Sequence, residues 1–250
     1  MPVVDAPTDS ILYALASHGV TRRRFLEFCA ATTAILSLPQ SYAPRIAQAL
    51  EDKKKPTVVW LEFQDCAGNT ESFLRAVAPS VGEIVLDVLA VEYHETIMAA
   101  AGFQAEAAKD AAVAEGGHIV VVEGSVPTGA NGVYCTIGGK TAVQILQEVT
   151  AGAAAVITVG TCSSYGGLPA ASPNPTGAVG VPALVSGVPV INLPGCPMNV
   201  DNMVATIVHF LTFGALPAVD GVGRPLFAYG ERIHDHCERR AHFDAGQFAQ

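Results

Sequence analysis

From residue 57 onward the chain alternates short unbroken apolar runs with longer stretches of helix-forming residues. Thr57-Val58-Val59-Trp60-Leu61-Glu62-Phe63 is apolar almost throughout and is bounded by Pro56 and a polar loop, which predicts a strand buried on both faces. Thr70 to Ala78 predicts a helix stopped by Pro79, and Glu83 to Val91 a second strand. Glu92 to Glu115 is rich in alanine and free of proline, so it predicts one long helix ended by Gly116-Gly117. His118 to Glu123 predicts the third strand, Lys140 to Ala151 an amphipathic helix and Ala154 to Val159 the fourth strand. A Gly- and Pro-rich segment fills 160–187, before a fifth strand at Val188 to Leu193 and a helix at Val200 to Phe213.

Strands alternating with helices imply βαβ units and a parallel sheet covered on both faces. The expected fold is α/β, an open doubly wound sheet of flavodoxin-like outline over residues 50–214. Past Gly214 the chain changes character. Pro217, Gly221, Gly223 and Pro225 mark a linker, and the rest to Gln250 is rich in His, Arg and Cys with little core of its own.

The N-terminus reads as an address. Thr21-Arg22-Arg23-Arg24-Phe25-Leu26 has the twin-arginine form, and a short apolar stretch from Phe28 to Leu38 follows. Pro39 breaks it, and Ala47-Gln48-Ala49 offers a small-residue processing site. Residues 1–49 are therefore expected to be a removable export signal, which places the folded protein on the periplasmic side of the cytoplasmic membrane. The apolar stretch is too short for a permanent membrane helix.

Half of the 250 residues are hydrophobic and the formal charge is −9. The composition suits a packed core, and the charge argues against a nucleic-acid partner, whose phosphates need a basic face. Six cysteines are spread along the chain: Cys29, Cys66, Cys135, Cys162, Cys196 and Cys237. Cys29 falls in the leader, so an odd number remains, which suits metal thiolates better than disulfides. Cys66 follows the first expected strand, Cys162 the fourth and Cys196 the fifth. In an open parallel sheet ligands bind beyond the carboxyl ends of the strands. Three soft thiols there select iron–sulfur clusters, zinc or cuprous ions, and with no paired C-x-x-C and no histidine beside them nothing favours zinc. Each could also be an ordinary buried cysteine. Cys135 precedes a helix instead of following a strand, and reads as structural. His234 and Cys237, three residues apart, supply two further ligands of a second metal constellation or belong to a solvated loop.

These motifs resemble the small subunit of nickel–iron hydrogenases. The resemblance is carried by Val58-Val59-Trp60-Leu61 leading to Cys66, Glu92-Tyr93-His94-Glu95, Glu123-Gly124-Ser125-Val126-Pro127 and Gly160-Thr161-Cys162. It continues through Pro173-Asn174-Pro175-Thr176-Gly177, Pro194-Gly195-Cys196-Pro197 and His234 to Gly246. It implies a proximal iron–sulfur cluster held by Cys66, Cys162 and Cys196 beside the nickel–iron centre of a large subunit. It implies that His234 and Cys237 are the first two ligands of a distal four-iron cluster, whose remaining ligands and the medial-cluster ligands would lie beyond Gln250, so residues 215–250 begin an incomplete iron–sulfur domain. The chain would carry electrons between the large subunit and a downstream cytochrome or other acceptor, with no hydrogen-splitting residue of its own. A related respiratory-complex subunit and a flavin-binding module are the alternatives; the export signal and His234-x-x-Cys237 speak against the first, the poor phosphate loop against the second.

The sequence departs from that family at one ligand. Asn69 stands where a second cysteine follows Cys66. The proximal cluster is then a three-iron cluster, or a four-iron cluster completed by oxygen from Asp65 or Asn69; the Asp65 carboxylate is the better donor and Asn69 the better placed. His94, His209 and Glu71 are candidates for an interface or proton-transfer role, or for plain packing.

Overall fold

The structure, a computed structural model, describes residues 21–52, 55–77, 80–81, 84 and 88–248. Its centre is a parallel five-stranded sheet. The strands are β1 (Thr57–Glu62), β2 (Ala90–His94), β3 (Ile119–Glu123), β4 (Ala155–Val159) and β5 (Val190–Leu193). Their spatial order is β2-β1-β3-β4-β5, the flavodoxin-like order, whose crevice lies at the switch point between β1 and β3. The expected fold class holds.

Alternate residues of each strand feed two cores. Val58, Trp60, Ile119, Val121, Ile157 and Leu193 face one layer; Val59, Leu61, Val120, Val122 and Val156 face the other. The helices are α1 (Arg22–Ile35), α2 (Ala43–Asp52), α3 (Gly68–Leu74), α4 (Phe103–Glu115), α5 (Ala142–Thr150), α6 (Gly160–Tyr165) and α7 (Val200–Phe213). Residues of α1, α2 and α7, with Phe73 of α3, close the first core, and those of α4 and α5 the second. Among the described residues no helix is long and apolar enough to cross a membrane.

Several boundaries differ from expectation. The second strand is not at Glu83 to Val91. Thr57 pairs with Ala90 and Trp60 with His94, so β2 comprises Ala90–His94, while residues 82–83 and 85–87 lie outside the described residues. Glu92-Tyr93-His94 therefore cannot open the long helix. Tyr93 and His94 are consecutive and both buried, Tyr93 in the second core and His94 stacked on Trp60 of the first at 4.8 Å between ring centres, which an extended strand between two layers allows. The helix starts only at Phe103, after Gly102 turns the chain at φ 58°. The helix expected from Thr70 begins earlier, at Gly68, and stops at Leu74. Lys140-Thr141 pairs with Thr136-Ile137, and Thr141 then caps α5 through a reciprocal bond with Gln144. The Gly-rich segment after β4 contains α6, and its Ala178-Val179 pairs with Val126-Pro127.

The N-terminal segment, set aside above as an address, is not outside the packed body. Residues 1–20 lie outside the described residues, but Phe25, Cys29, Leu36, Ile46 and Leu50 are buried in the first core. At the other end, the segment after Gly214 is tied to β5: Asn192 donates its backbone N–H to Gly223 (2.8 Å), and Tyr229 its hydroxyl to the Pro194 carbonyl (2.9 Å). Beyond it Ile233, Phe243 and Phe248 are exposed.

Candidate metal centre

Three loops leave the carboxyl edge of the sheet and meet. After β1 the chain stays paired with the continuation of β3: Phe63 N–H donates to Glu123 O, and Gln64 and Ser125 exchange backbone bonds of 3.0–3.1 Å. This carries Asp65 and Cys66 over the rim. Gly124, at φ 86°, has no room for a side chain, because a Cβ would stand 2.7 Å from the Asp65 Cβ. After β4, Gly160 (φ 88°) opens α6 and Cys162 sits in its first turn. After β5, Gly195 leads to Cys196. The last two loops are stapled together: the Thr161 N–H and hydroxyl both reach Gly195 O, at 2.8 and 3.1 Å.

Cys66, Cys162, Cys196, Asp65 and Asn69 line one cavity of about 100 Å³. Burial pushes the Cys162 thiol above its ordinary value; the Leu168 backbone N–H works against that shift, and Cys196, Cys66 and Asp65 push it further up. The three thiols and the carboxylate thus share one field. Space around the sulfurs is tight. A Cβ on Gly167 would lie 2.6 Å from the Cys162 Sγ and 2.8 Å from its Cα, and Gly167 already holds φ 54°.

Asn69 lines the same cavity but is fastened elsewhere. Its Nδ2 donates to Glu123 Oε1 (3.0 Å), and its Oδ1 accepts the Met198 N–H (2.8 Å). It packs so closely under Gly160 that a Cβ there would be 2.5 Å from Nδ2. Asp65 is held differently. Its Oδ2 accepts the Ala67 N–H at 3.1 Å, an Asx turn at the rim, and its carboxylate lies within 4.8 Å of those of Glu62 and Glu123. Burial raises the Asp65 carboxyl above its usual range, the Ala67 N–H opposes this, and Glu123 and Glu62 add to it.

Beneath the pocket is a buried polar network that sequence reasoning did not single out as functional. Glu123 Oε1 accepts the Asn69 N–H (2.8 Å) and Glu123 Oε2 accepts both the N–H and the hydroxyl of Thr70 (2.9 and 2.7 Å). Thr70 Oγ1 also lies 3.0 Å from Glu62 Oε1, and Thr96 donates to Glu62 Oε2 at 2.6 Å. The sheet register causes the clustering, since Glu62 and Glu123 are direct neighbours at the ends of β1 and β3. A charged residue closing an otherwise all-apolar strand was the available signal.

The remaining candidates fall outside this pocket. His234 and Cys237 share a separate, open cavity of about 580 Å³ with Arg232, Asp235 and Phe243. Cys135 packs against the second core, and burial pushes its thiol up to about 11. His94 is wholly buried against Trp60; His209 stacks near Phe213 with Nδ1 3.0 Å from the Ala215 carbonyl; Glu71 pairs with Arg75 on the surface. None of those three lines the thiol pocket.

The donor set fits an iron–sulfur cluster. Three thiols with no imidazole or ammonium group in the wall of the cavity are soft ligands around a small space, reached from outside through exposed Cys66 and Cys196.

Comparison with known proteins agrees. Residues 66–210, more than half of the chain, match the family described as NADH ubiquinone oxidoreductase, 20 Kd subunit. The chain is 46% identical over 238 residues to the periplasmic NiFe hydrogenase small subunit 1 of Nitratidesulfovibrio vulgaris, covering 94% of this chain and 75% of that one. It is 45% identical over 236 residues to the hydrogenase-2 small chain of Escherichia coli K12, covering 94% of this chain and 63% of that one, so it spans less than two thirds of that relative. Among solved structures, the Ni-Fe-Se hydrogenase from Desulfomicrobium baculatum superposes with a TM-score of 0.74 at 35% identity, over 79% of this chain and 78% of that one. The actinobacterial-type NiFe-hydrogenase of Ralstonia eutropha H16 gives 0.70 at 26% identity, over 80% of this chain and 66% of that one. With its thiol pocket at the rim of a flavodoxin-like sheet, the chain belongs to the family of nickel–iron hydrogenase small subunits.

Proposed function

We propose that this chain is the electron-carrying small subunit of a nickel–iron hydrogenase, and that Cys66, Cys162 and Cys196 hold its proximal iron–sulfur cluster. The observation that carries this is the convergence of those thiols on one cavity at the carboxyl edge of the sheet. When bound, the cluster supplies a one-electron redox centre. The chain's own part is to fix three sulfurs through the Thr161–Gly195 staple and the Asn69–Met198 bond, and to present the cavity to a large subunit that splits hydrogen. A cytochrome or similar acceptor takes the electrons. His234 and Cys237 are two ligands of a distal four-iron cluster. Residues 1–49 are a twin-arginine leader that delivers the folded protein to the periplasmic side of the membrane.

For the fourth proximal ligand we assign Asp65. Asn69 has committed Nδ2 to Glu123 and Oδ1 to Met198, whereas Asp65 is a carboxylate held at the mouth of the cavity. Anaerobic reconstitution of the full chain followed by EPR and Mössbauer spectroscopy tests this. The parent is expected to show a four-iron cluster, Asp65→Ala a three-iron signal, and Asn69→Ala a four-iron cluster in a less stable protein. A parent with a clean three-iron signal that neither substitution changes overturns the oxygen ligand. Failure of the chain, co-produced with a large subunit, to support hydrogen-dependent dye reduction overturns the wider reading.

A further inference from the structure

The leader does not hang free of the folded body. Thr21 caps α1, its hydroxyl accepting the Arg24 N–H at 3.3 Å, so the arginine triplet forms the first turn of a helix. Arg22, Arg23 and Arg24 point to solvent, and Arg23 pairs with Glu27 at 2.9 Å. The same helix turns Phe25 and Cys29 inward, and Cys29 is 0% exposed. Past Pro39 the chain doubles back, and α2 lays Ile46 and Leu50 into the same core. Both helices pack on α7, whose Met203, Ile207 and Leu211 belong to that core. The end of α7 clasps the turn: the Tyr42 and Phe213 rings are 5.9 Å apart, and the Arg45 guanidinium lies over both, at 5.2 and 5.5 Å. The processing triplet Ala47-Gln48-Ala49 is inside α2, with Ala47 and Ala49 each 8% exposed.

We propose that α7 is a docking face whose occupant is the chain's own leader, which in the folded precursor withholds its apolar stretch and its processing site while leaving its arginines readable. The inference rests on residues 1–49 being an export leader. Two consequences give the contact a role. Proteases take their substrates as extended chain, so a triplet held in a buried helix is cut only after it undocks. The docking face also exists only once α7 has packed on the sheet. An unfolded chain shows its apolar stretch, and a folded one conceals it until something displaces it.

Cys29 reports the contact directly, because burial both shields its thiol and pushes it up to about 12. The full chain is treated with N-ethylmaleimide and labelling at Cys29 is followed by mass spectrometry, beside the rate of cleavage after Ala49 by leader peptidase. In the native parent Cys29 is expected to react at least ~100-fold more slowly than in urea, the rate of a site that opens only by partial unfolding. Phe213→Ala, at the edge of the clasp, should speed labelling and cleavage together. The pair Leu36→Asp and Ile46→Asp, both within the leader, should bring Cys29 close to its unfolded rate while amide exchange in β1, β3 and β4 stays slow. A native Cys29 that reacts as fast as in urea, or cleavage indifferent to Phe213→Ala, overturns the docking. A folded reporter carrying residues 1–52 separates the two ideas. If it is exported while Cys29 of the native full chain reacts as fast as in urea, only the docking fails; if it stays in the cytoplasm, the leader reading fails and takes the proposal with it.

Discussion

Asp65, on the loop after β1, and Asn69, in the first turn of α3, stand four residues apart and are held by different hydrogen bonds. Asn69 joins the loop of Cys66 to Glu123 on one side and to the loop of Cys196, through Met198, on the other. A buried residue with both ends of its amide engaged is costly to remove; truncation to alanine leaves the Met198 N–H unsatisfied, worth roughly 1–3 kcal/mol. His94 shows a different kind of commitment. The Thr96 N–H donates to its Nδ1 at 3.3 Å, so that nitrogen carries a lone pair and the ring is neutral. Burial lowers its pKa to about 4, against the upward pull of Glu123. The sign follows. Between the unfolded value of about 6.5 and the folded value, the unfolded chain binds a proton that the folded chain refuses. The His94 contribution is therefore complete above about pH 6.5 and is lost as the pH falls to about 4, a loss of up to roughly 3 kcal/mol. Urea midpoints measured at steps from pH 7 to pH 4 should fall more steeply for the parent than for His94→Gln. Parallel curves would refute the assignment.

Between elements, the carboxylate of Glu123 at the end of β3 does the work of an N-cap for α3. Four donors from Asn69 and Thr70 converge on its two oxygens, and the negative charge faces the helix N-terminus, where it is favourable. Glu123→Gln keeps the shape but turns an NH2 group toward two of those donors. It should cost about 2–4 kcal/mol, the range of charge-assisted buried bonds plus an unmet donor, seen as a lower thermal midpoint and as fewer irons retained per chain. An unchanged midpoint would mean that α3 is held by packing alone. This capping also explains which parts of the fold were legible beforehand. β1, β3, β4 and β5 announce themselves as continuous apolar runs, and their topology alone brings Cys66, Cys162 and Cys196 to one rim. The start of α3 could not be read locally, because its cap comes from a residue 54 positions away. β2 was misplaced because the expected strand stopped at Val91 and Glu92-Tyr93-His94 was joined to the alanine-rich stretch that follows; the pairing with β1 decides the matter, and it is non-local. The helices α1 and α2 were set aside on the twin-arginine motif, although their inward faces had the apolar spacing of a packed helix.

The whole molecule has a closed core and an unfinished surface. Its sheet is covered on both faces, yet an apolar side chain next to Cys162 stands in water: Leu168 is 85% exposed, and its backbone N–H reaches the Cys162 thiol. Tyr165, on α6 three residues before it, is 44% exposed. Surface leucines occur singly without meaning, but this one adjoins Cys162, and under the proposed electron-carrying role the thiol cavity would have to be shut away from water and brought near a second redox centre. A large subunit seated on this rim would bury Leu168, and a buried apolar anchor at the centre of an interface carries a large share of its affinity. Leu168→Asp places a charge there at no cost to the isolated chain, since the side chain touches solvent already. It should weaken association with the large subunit by at least about tenfold, the effect of one central anchor, while iron and sulfide per small subunit stay at the parental level. Titration of the reconstituted chain against the large subunit, with iron counted on the same samples, makes the comparison. Undiminished affinity would move the interface to another face of the sheet; lost affinity together with lost iron would make Leu168 part of the cluster pocket instead of the interface.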